Sequence, residues 1–184
     1  MTTIALIILL TVTVEVRGKY LFRSMVRGYP VQYLGVDRAG IYVNNPPEWI
    51  RTLAQATASI KAHVGEKETM LAIPYCPLYY FLANRVSAVP ELAFFDYLNF
   101  TREQEQRIMA DLERKGNRWI ILSNRADTRE VGLGVFGKTY CPLLAKYLKE
   151  NFALVETIGD WDAPPGWIIN NAIRIYRKKD LPGR

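Results

Sequence analysis

Residues 69–85 read TMLAIPYCPLYYFLANR. An apolar run, Met70, Leu71, Ala72 and Ile73, stops at Pro74. A Tyr75-Cys76-Pro77-Leu78 turn follows, and Leu78, Tyr79, Tyr80, Phe81 and Leu82 continue as an aromatic helical segment. A short apolar run cut by proline reads as a buried strand, and proline suits the first position of a helix, where its missing N–H has no intrahelical partner to lose. The stretch is a strand feeding a helix. The same four letters return at Tyr140-Cys141-Pro142-Leu143, again at a helix start. The chain therefore reads as strand-to-helix units around one sheet, with its distinctive chemistry at the turns.

Outward from this centre the pattern repeats. Ala39 to Val43 is a short strand. Asn44-Asn45-Pro46-Pro47 starts a helix, with an Asn cap and proline in the first turn, and Trp49, Leu53, Ala56, Ile60 and Val64 give that helix one apolar face before Gly65 ends it. Thr101 with Gln104 makes a capping box for a helix whose buried stripe is Ile108, Met109 and Leu112 and whose end is Gly116. Arg118 to Ser123 is a buried strand, Pro142 starts a helix with Leu144, Tyr147 and Leu148, and Ala153 to Ile158 is a strand. Trp167 to Arg177, where Ile173 and Ile175 alternate with Arg174 and Tyr176, closes an antiparallel hairpin. Helices alternating with strands predict a layered, Rossmann-like α/β domain with a mainly parallel sheet and a C-terminal antiparallel hairpin.

Ile4 to Leu10 is continuously apolar, and Thr11 to Val16 alternates. Together these are about 13 residues, short of the roughly 20 a membrane-crossing helix needs. A signal peptide and a core strand compete with a membrane-anchoring end, which is favoured because a basic start and a small-residue cleavage site are not evident. Ile4, Leu6, Ile7 and Leu10 would then touch lipid, and Arg17 and Lys19, followed by Arg23 and Arg27, would meet lipid phosphates. The expected organisation is an anchor at 1–16, a basic linker at 17–34, the α/β domain at 35–178 and a tail at 179–184.

Composition narrows the function. The chain has 184 residues, 49% hydrophobic and 23% charged, which is globular rather than disordered. Its net charge of +6 permits an anionic partner, but the basic residues are dispersed without aromatic interleaving, which argues against nucleic acid. Two cysteines are too few for a disulfide scaffold or a cysteine zinc site, and the single histidine, His63, reads as a surface residue at a helix end. No metal site and no cofactor are expected.

Three motifs offer chemistry. Gly132 to Thr139, GLGVFGKT, matches both the dinucleotide and the phosphate-loop patterns, with Gly132, Gly137, Lys138 and Thr139 as phosphate contacts. Its context argues against the match: the preceding strand ends near Ser123, and Pro142 falls where the phosphate-loop helix needs a donor. Cys76 and Cys141, each at a helix start, could lie near one another on the strands' carboxyl edge. A disulfide or a stabilised thiolate stands against two small buried residues, and the last is preferred. Asp160 and Asp162 beside Trp161 and Trp167 suit a sugar, whose hydroxyls need acceptors and whose C–H faces stack on rings. A rigid proline loop is the plainer reading. Trp161, Asp162 and Trp167, with Tyr75 and Tyr79 of the central turn, are the candidate ligand contacts.

The order of the segments resembles a known family. Gly40-Ile41-Tyr42-Val43, the helix with Trp49 and Leu53, IPYCPLYYFLANR at 73–85, the 101–112 helix, WIILSN, FGKTYCPLLAKYLKENFALVETIG at 136–159 and the closing IRIYRKK are similar to the soluble domain that follows the last membrane helix in bacterial GT-C-type glycosyltransferases, the protein O-mannosyltransferase-like enzymes. The resemblance spans about residues 35–178. It implies an extracytoplasmic domain at a membrane, near polyprenyl-phosphate sugars or glycans and integral membrane proteins. The family's catalytic acid lies in an outer loop between early membrane helices, so no catalytic residue is carried over. The resulting expectation is a non-catalytic accessory or scaffolding subunit. The alternatives are the acceptor-binding part of such a transferase, or a nucleotide-binding protein. The basic cluster at 17–27 argues for a cytoplasmic body by the positive-inside rule, and the resemblance is given more weight.

Overall fold

The computed structural model describes residues 31–36, 38, 40–126, 133–163 and 172–180. The proposed anchor, with Ile4, Leu6, Ile7, Leu10, Arg17 and Lys19, lies outside the described residues, as do Gly132 and Trp167. Among the described residues no helix is long and apolar enough to cross a membrane.

The fold is mixed α/β. In chain order it comprises β1 (Gln32–Tyr33), β2 (Tyr42–Val43), α1 (Pro47–His63), β3 (Thr69–Ile73), α2 (Pro77–Ala83), β4 (Val86–Ser87), α3 (Arg102–Arg114), β5 (Trp119–Ser123), α4 (Pro142–Asn151), β6 (Phe152–Ile158) and β7 (Ile173–Lys178). β1 and β2 form a two-stranded antiparallel sheet. The main sheet runs β4-β3-β5-β7-β6. β3 is parallel to β4 and to β5, whereas β7 is antiparallel to both β5 and β6. The sheet is therefore mixed rather than mainly parallel. The closing hairpin is present, but its second strand inserts between β5 and β6, a long-range pairing that local pattern does not encode.

β3 is buried on both sides, which explains its unbroken apolar sequence. Met70 and Ala72 join one core with Leu53, Ala56 and Ile60 of α1 and Tyr79 and Leu82 of α2. Leu71 and Ile73 join a second core with Ile108 and Leu112 of α3 and Leu144 and Leu148 of α4. The two helix pairs thus cover opposite faces of the sheet.

The local signals act as expected at most ends. Thr101 Oγ1 accepts the Gln104 N–H at 3.3 Å, and Gln104 Oε1 accepts the Thr101 N–H at 2.7 Å. Gly116, at φ +61°, follows α3. Proline occupies the first turn of α1, α2 and α4. At α1 the cap differs: Pro46 holds that position without a side-chain hydrogen bond, so neither Asn caps it.

Candidate functional site

β3 and β5 are neighbours, with Ile73 paired to Leu122 near their carboxyl ends. β3 continues into α2 on one face of the sheet, and the chain after β5 leads to α4 on the other. Adjacent parallel strands whose following helices diverge leave a crevice beyond their carboxyl ends, the usual ligand position in open α/β sheets.

Four segments meet there. β3 contributes Pro74, after a cis Ile73-Pro74 bond, then Tyr75 and Cys76. β5 ends at Ser123 and runs into a single 3-10 turn, Asn124–Ala126. The segment at Phe94–Asp96 crosses the end of β3, held by the Phe94 N–H on Pro74 O at 2.7 Å. Tyr140 and Cys141 precede α4. The Asn124 N–H donates to Ala172 O at 2.9 Å, tying the turn to the start of β7.

The polar groups in this crevice are buried. Asn124 is 3% exposed, Arg125 4% and Tyr140 4%. Among the described residues Asn124 Oδ1 and the Tyr140 hydroxyl have no hydrogen-bond partner. Burial pushes the Tyr140 phenol up, with Cys141, Asp96 and Cys76 adding to the rise and Arg125 opposing it. The Arg125 guanidinium, Asp96 and Cys76 are therefore within electrostatic reach of that hydroxyl. At the mouth, the Tyr75 ring lies 5.9 Å from Phe95, and Phe95 lies 5.7 Å from Tyr97, forming a partly exposed aromatic ledge.

The thiols are not activated. Burial pushes Cys76 up to about 12, against weaker pulls from its backbone hydrogen bond, Arg125 and Ser123. Burial and Glu105 push Cys141 up to about 12. Desolvation outweighs whatever a helix N-terminus offers a thiolate. Nor do the thiols form a disulfide: both are free, and they belong to cores on opposite faces of the sheet. Both thiols should resist a disulfide-exchange reagent at pH 8 in the native protein and react fully in urea. Because their folded-state pKa values lie above the unfolded ones, their contribution to stability is complete below about pH 8.5 and is lost as pH rises toward 12. Double Cys→Ser exchange should flatten that alkaline decline, measured as urea midpoint against pH.

Other expected sites are dispersed or occupied. Tyr79 is 2% exposed and packs in the first core, so it is no ligand contact. Trp161 carries the Arg174 guanidinium 4.1 Å from its ring centroid, which covers one face. Asp160 Oδ1 accepts the N–H groups of Asp162 and Ala163 at 3.1 and 3.2 Å, closing its own turn, while Asp162 is exposed.

The phosphate-loop reading fails on geometry. The N–H groups of Lys138 and Thr139 donate to Val135 O, and that of Gly137 donates to Tyr140 O, so these amides turn inward. Thr139 Oγ1 accepts the Val135 N–H at 2.8 Å. The glycines answer to packing: Gly134 sits at φ +69°, and a Cβ there would lie 2.6 Å from Asp96 Cβ.

His63 stands at the opposite end of β5. Its ring is 5.6 Å from Trp119, and its Nε2 is 3.1 Å from Glu156 Oε2, an oxygen that also accepts the Ser59 hydroxyl. The carboxylate sits between hydroxyl and imidazole, so the histidine cannot serve that serine as a base. Among the described residues no group of His, Cys, Asp and Glu is placed to hold a metal.

Comparison of the chain with protein-family models, with curated proteins and with solved structures finds no match. The crevice residues Asn124, Arg125 and Tyr140 were not among the sequence candidates. The available signal was the polar Ser123-Asn124-Arg125 directly after a buried strand, at the end of the strand where α/β sheets place ligands.

Proposed function

We propose that this chain is a ligand-holding domain serving a membrane-bound glycosyl-transfer assembly, with no reaction centre of its own. The observation that carries the reading is a pair of buried polar atoms at the ends of β3 and β5, the Tyr140 hydroxyl and Asn124 Oδ1, which lack protein partners among the described residues. Buried polar groups are normally hydrogen-bonded, and each exception needs an explanation. A phosphorylated sugar supplies both complements. Its phosphate accepts from the Tyr140 hydroxyl and the Arg125 guanidinium, and a sugar hydroxyl donates to Asn124 Oδ1. The exposed rings of Tyr75 and Tyr97, packed against the buried Phe95, offer faces to the sugar.

The resemblance in segment order supports the setting: a Rossmann-like layered domain, extracytoplasmic, beside integral membrane proteins that handle polyprenyl-phosphate sugars. The protonated thiols and the distance of His63 from the crevice favour holding over reaction. Calorimetric titration tests this with a hexose 1-phosphate as probe. Tyr140→Phe should weaken binding about tenfold, the value of one hydrogen bond to a charged group, without lowering stability. Arg125→Lys, which loses the fork, should weaken it at least as much. No heat with the wild-type chain, or unchanged affinity in both variants, ends the proposal.

A further inference from the structure

A second site lies on the α3/α4 face of the sheet, apart from the crevice. There α4 leaves a groove of about 240 Å³ over β5 and β7. Ile120, Leu122 and Tyr176 form its floor. Ala145, Leu148 and Lys149, at a spacing of three and four residues along α4, line it together with Phe136 and with Phe152, the first residue of β6. At 1.5 Å per residue the α4 side runs for roughly 6 Å, and Phe152 extends the lining beyond the helix. The space exceeds the 150 Å³ at which an apolar cavity already takes up benzene. Leu154 of β6, 50% exposed and paired with Tyr176, continues the uncovered apolar surface.

One end of the groove is cationic. Lys149 lines it in the last turn of α4. The Lys179 ammonium donates to Lys149 O and Glu150 O at 3.2 and 2.7 Å, covering the last carbonyls of the same helix. A carboxylate there meets the Lys149 ammonium, beside a helix end whose last carbonyls are already covered. Ala145, the smallest side chain of the stripe, marks the other end and abuts Gly137.

We propose that this groove binds a single-chain anionic amphiphile of the fatty-carboxylate class, with its head at Lys149 and its tail running along α4 toward Ala145. The proposal is independent of the crevice: its ligand, its wall and its variants share no residue with Tyr140 or Arg125.

The test uses the full chain with decanoate below its micellar concentration and decanol as the uncharged counterpart. Decanoate should bind saturably, one per chain, and at least tenfold more tightly than decanol. Ala145→Leu should lower decanoate affinity at least tenfold with circular dichroism as in the wild type, and Lys149→Glu keeps the test independent of any strain the leucine meets at Gly137. Lys149→Glu, a surface change, should lower decanoate affinity about tenfold and leave decanol binding unchanged. Equal affinity for decanoate and decanol, or decanoate binding unaltered by both variants, overturns the proposal. So does a dimer of the wild-type chain that Ala145→Leu dissociates, because the groove then belongs to a second copy.

Discussion

Replacing Arg85 by methionine is expected to cost about 3 kcal/mol of stability, a fall of roughly 10 °C in thermal midpoint. Arg85 is 9% exposed, and its guanidinium joins the carboxyl ends of two helices. Its Nε donates to Val64 O at 2.7 Å and its Nη2 to Lys61 O at 3.2 Å, at the end of α1. Its Nη1 donates to Ala83 O at 2.9 Å and Asn84 O at 3.1 Å, at the end of α2. Terminal carbonyls have no intrahelical partner, and a cation is favoured beside them. Methionine keeps most of the packing volume but leaves the carbonyls at this buried junction without their donors. Lysine should restore under half the loss, since one ammonium cannot reproduce a planar fork across two helices. Urea unfolding of both variants measures the effect. A loss below 1 kcal/mol for Arg85→Met would mean that water satisfies these carbonyls equally well.

The second large effect is expected at Glu105. This residue of α3 is 3% exposed, and its Oε2 accepts the Leu144 N–H at 2.8 Å. Leu144 lies in the first turn of α4, whose own cap residue, Cys141, makes no side-chain hydrogen bond and whose first residue is Pro142. The carboxylate of one helix thus caps the next, and its charge lies near both amino termini. Glu105→Ala should lose about 2–3 kcal/mol, combining the charged hydrogen bond with a buried void. Glu105→Gln, which keeps an acceptor but not the charge, should lose about 1 kcal/mol. Equal losses in the two variants would show that packing, not charge at the helix start, dominates.

These two residues mark where the sequence stops being readable. Thr101 with Gln104, Gly116, Pro77 and Pro142 act within a few residues of themselves, so their elements can be read from a short window. Arg85 and Glu105 act across helix junctions. In sequence Arg85 is an isolated charge after Asn84 and Glu105 is one of several charges in REQEQR, and nothing local distinguishes either from a solvated surface residue. The same limit applies to the aromatic helix after β3. The sequence places Tyr79 and Tyr80 side by side, but only the phase of α2 against the sheet decides their fates. Tyr79 enters the core, while the Tyr80 hydroxyl accepts the Ala72 N–H at 2.8 Å. The repeated Tyr-Cys-Pro-Leu turns do fall at the carboxyl edge, as their pattern suggests. Their cysteines diverge because α2 and α4 leave on opposite faces. The insertion of β7 between β5 and β6, and with it the mixed character of the sheet, comes from pairing at long sequence separation. The polar residues Asn124 and Arg125 were readable as the end of a strand, but not as buried.

The central claim is that the chain holds its ligand at the ends of β3 and β5. The most direct measurement is a two-dimensional amide NMR titration of the full chain with a hexose 1-phosphate. The account predicts saturable shifts concentrated at Tyr75, Cys76, Asn124, Arg125 and Tyr140, abolished for the same probe by Arg125→Lys with Tyr140→Phe. Shifts confined to the loop at Asp160–Asp162 or to the turn at Gly137–Thr139, with the crevice amides unmoved, would contradict it.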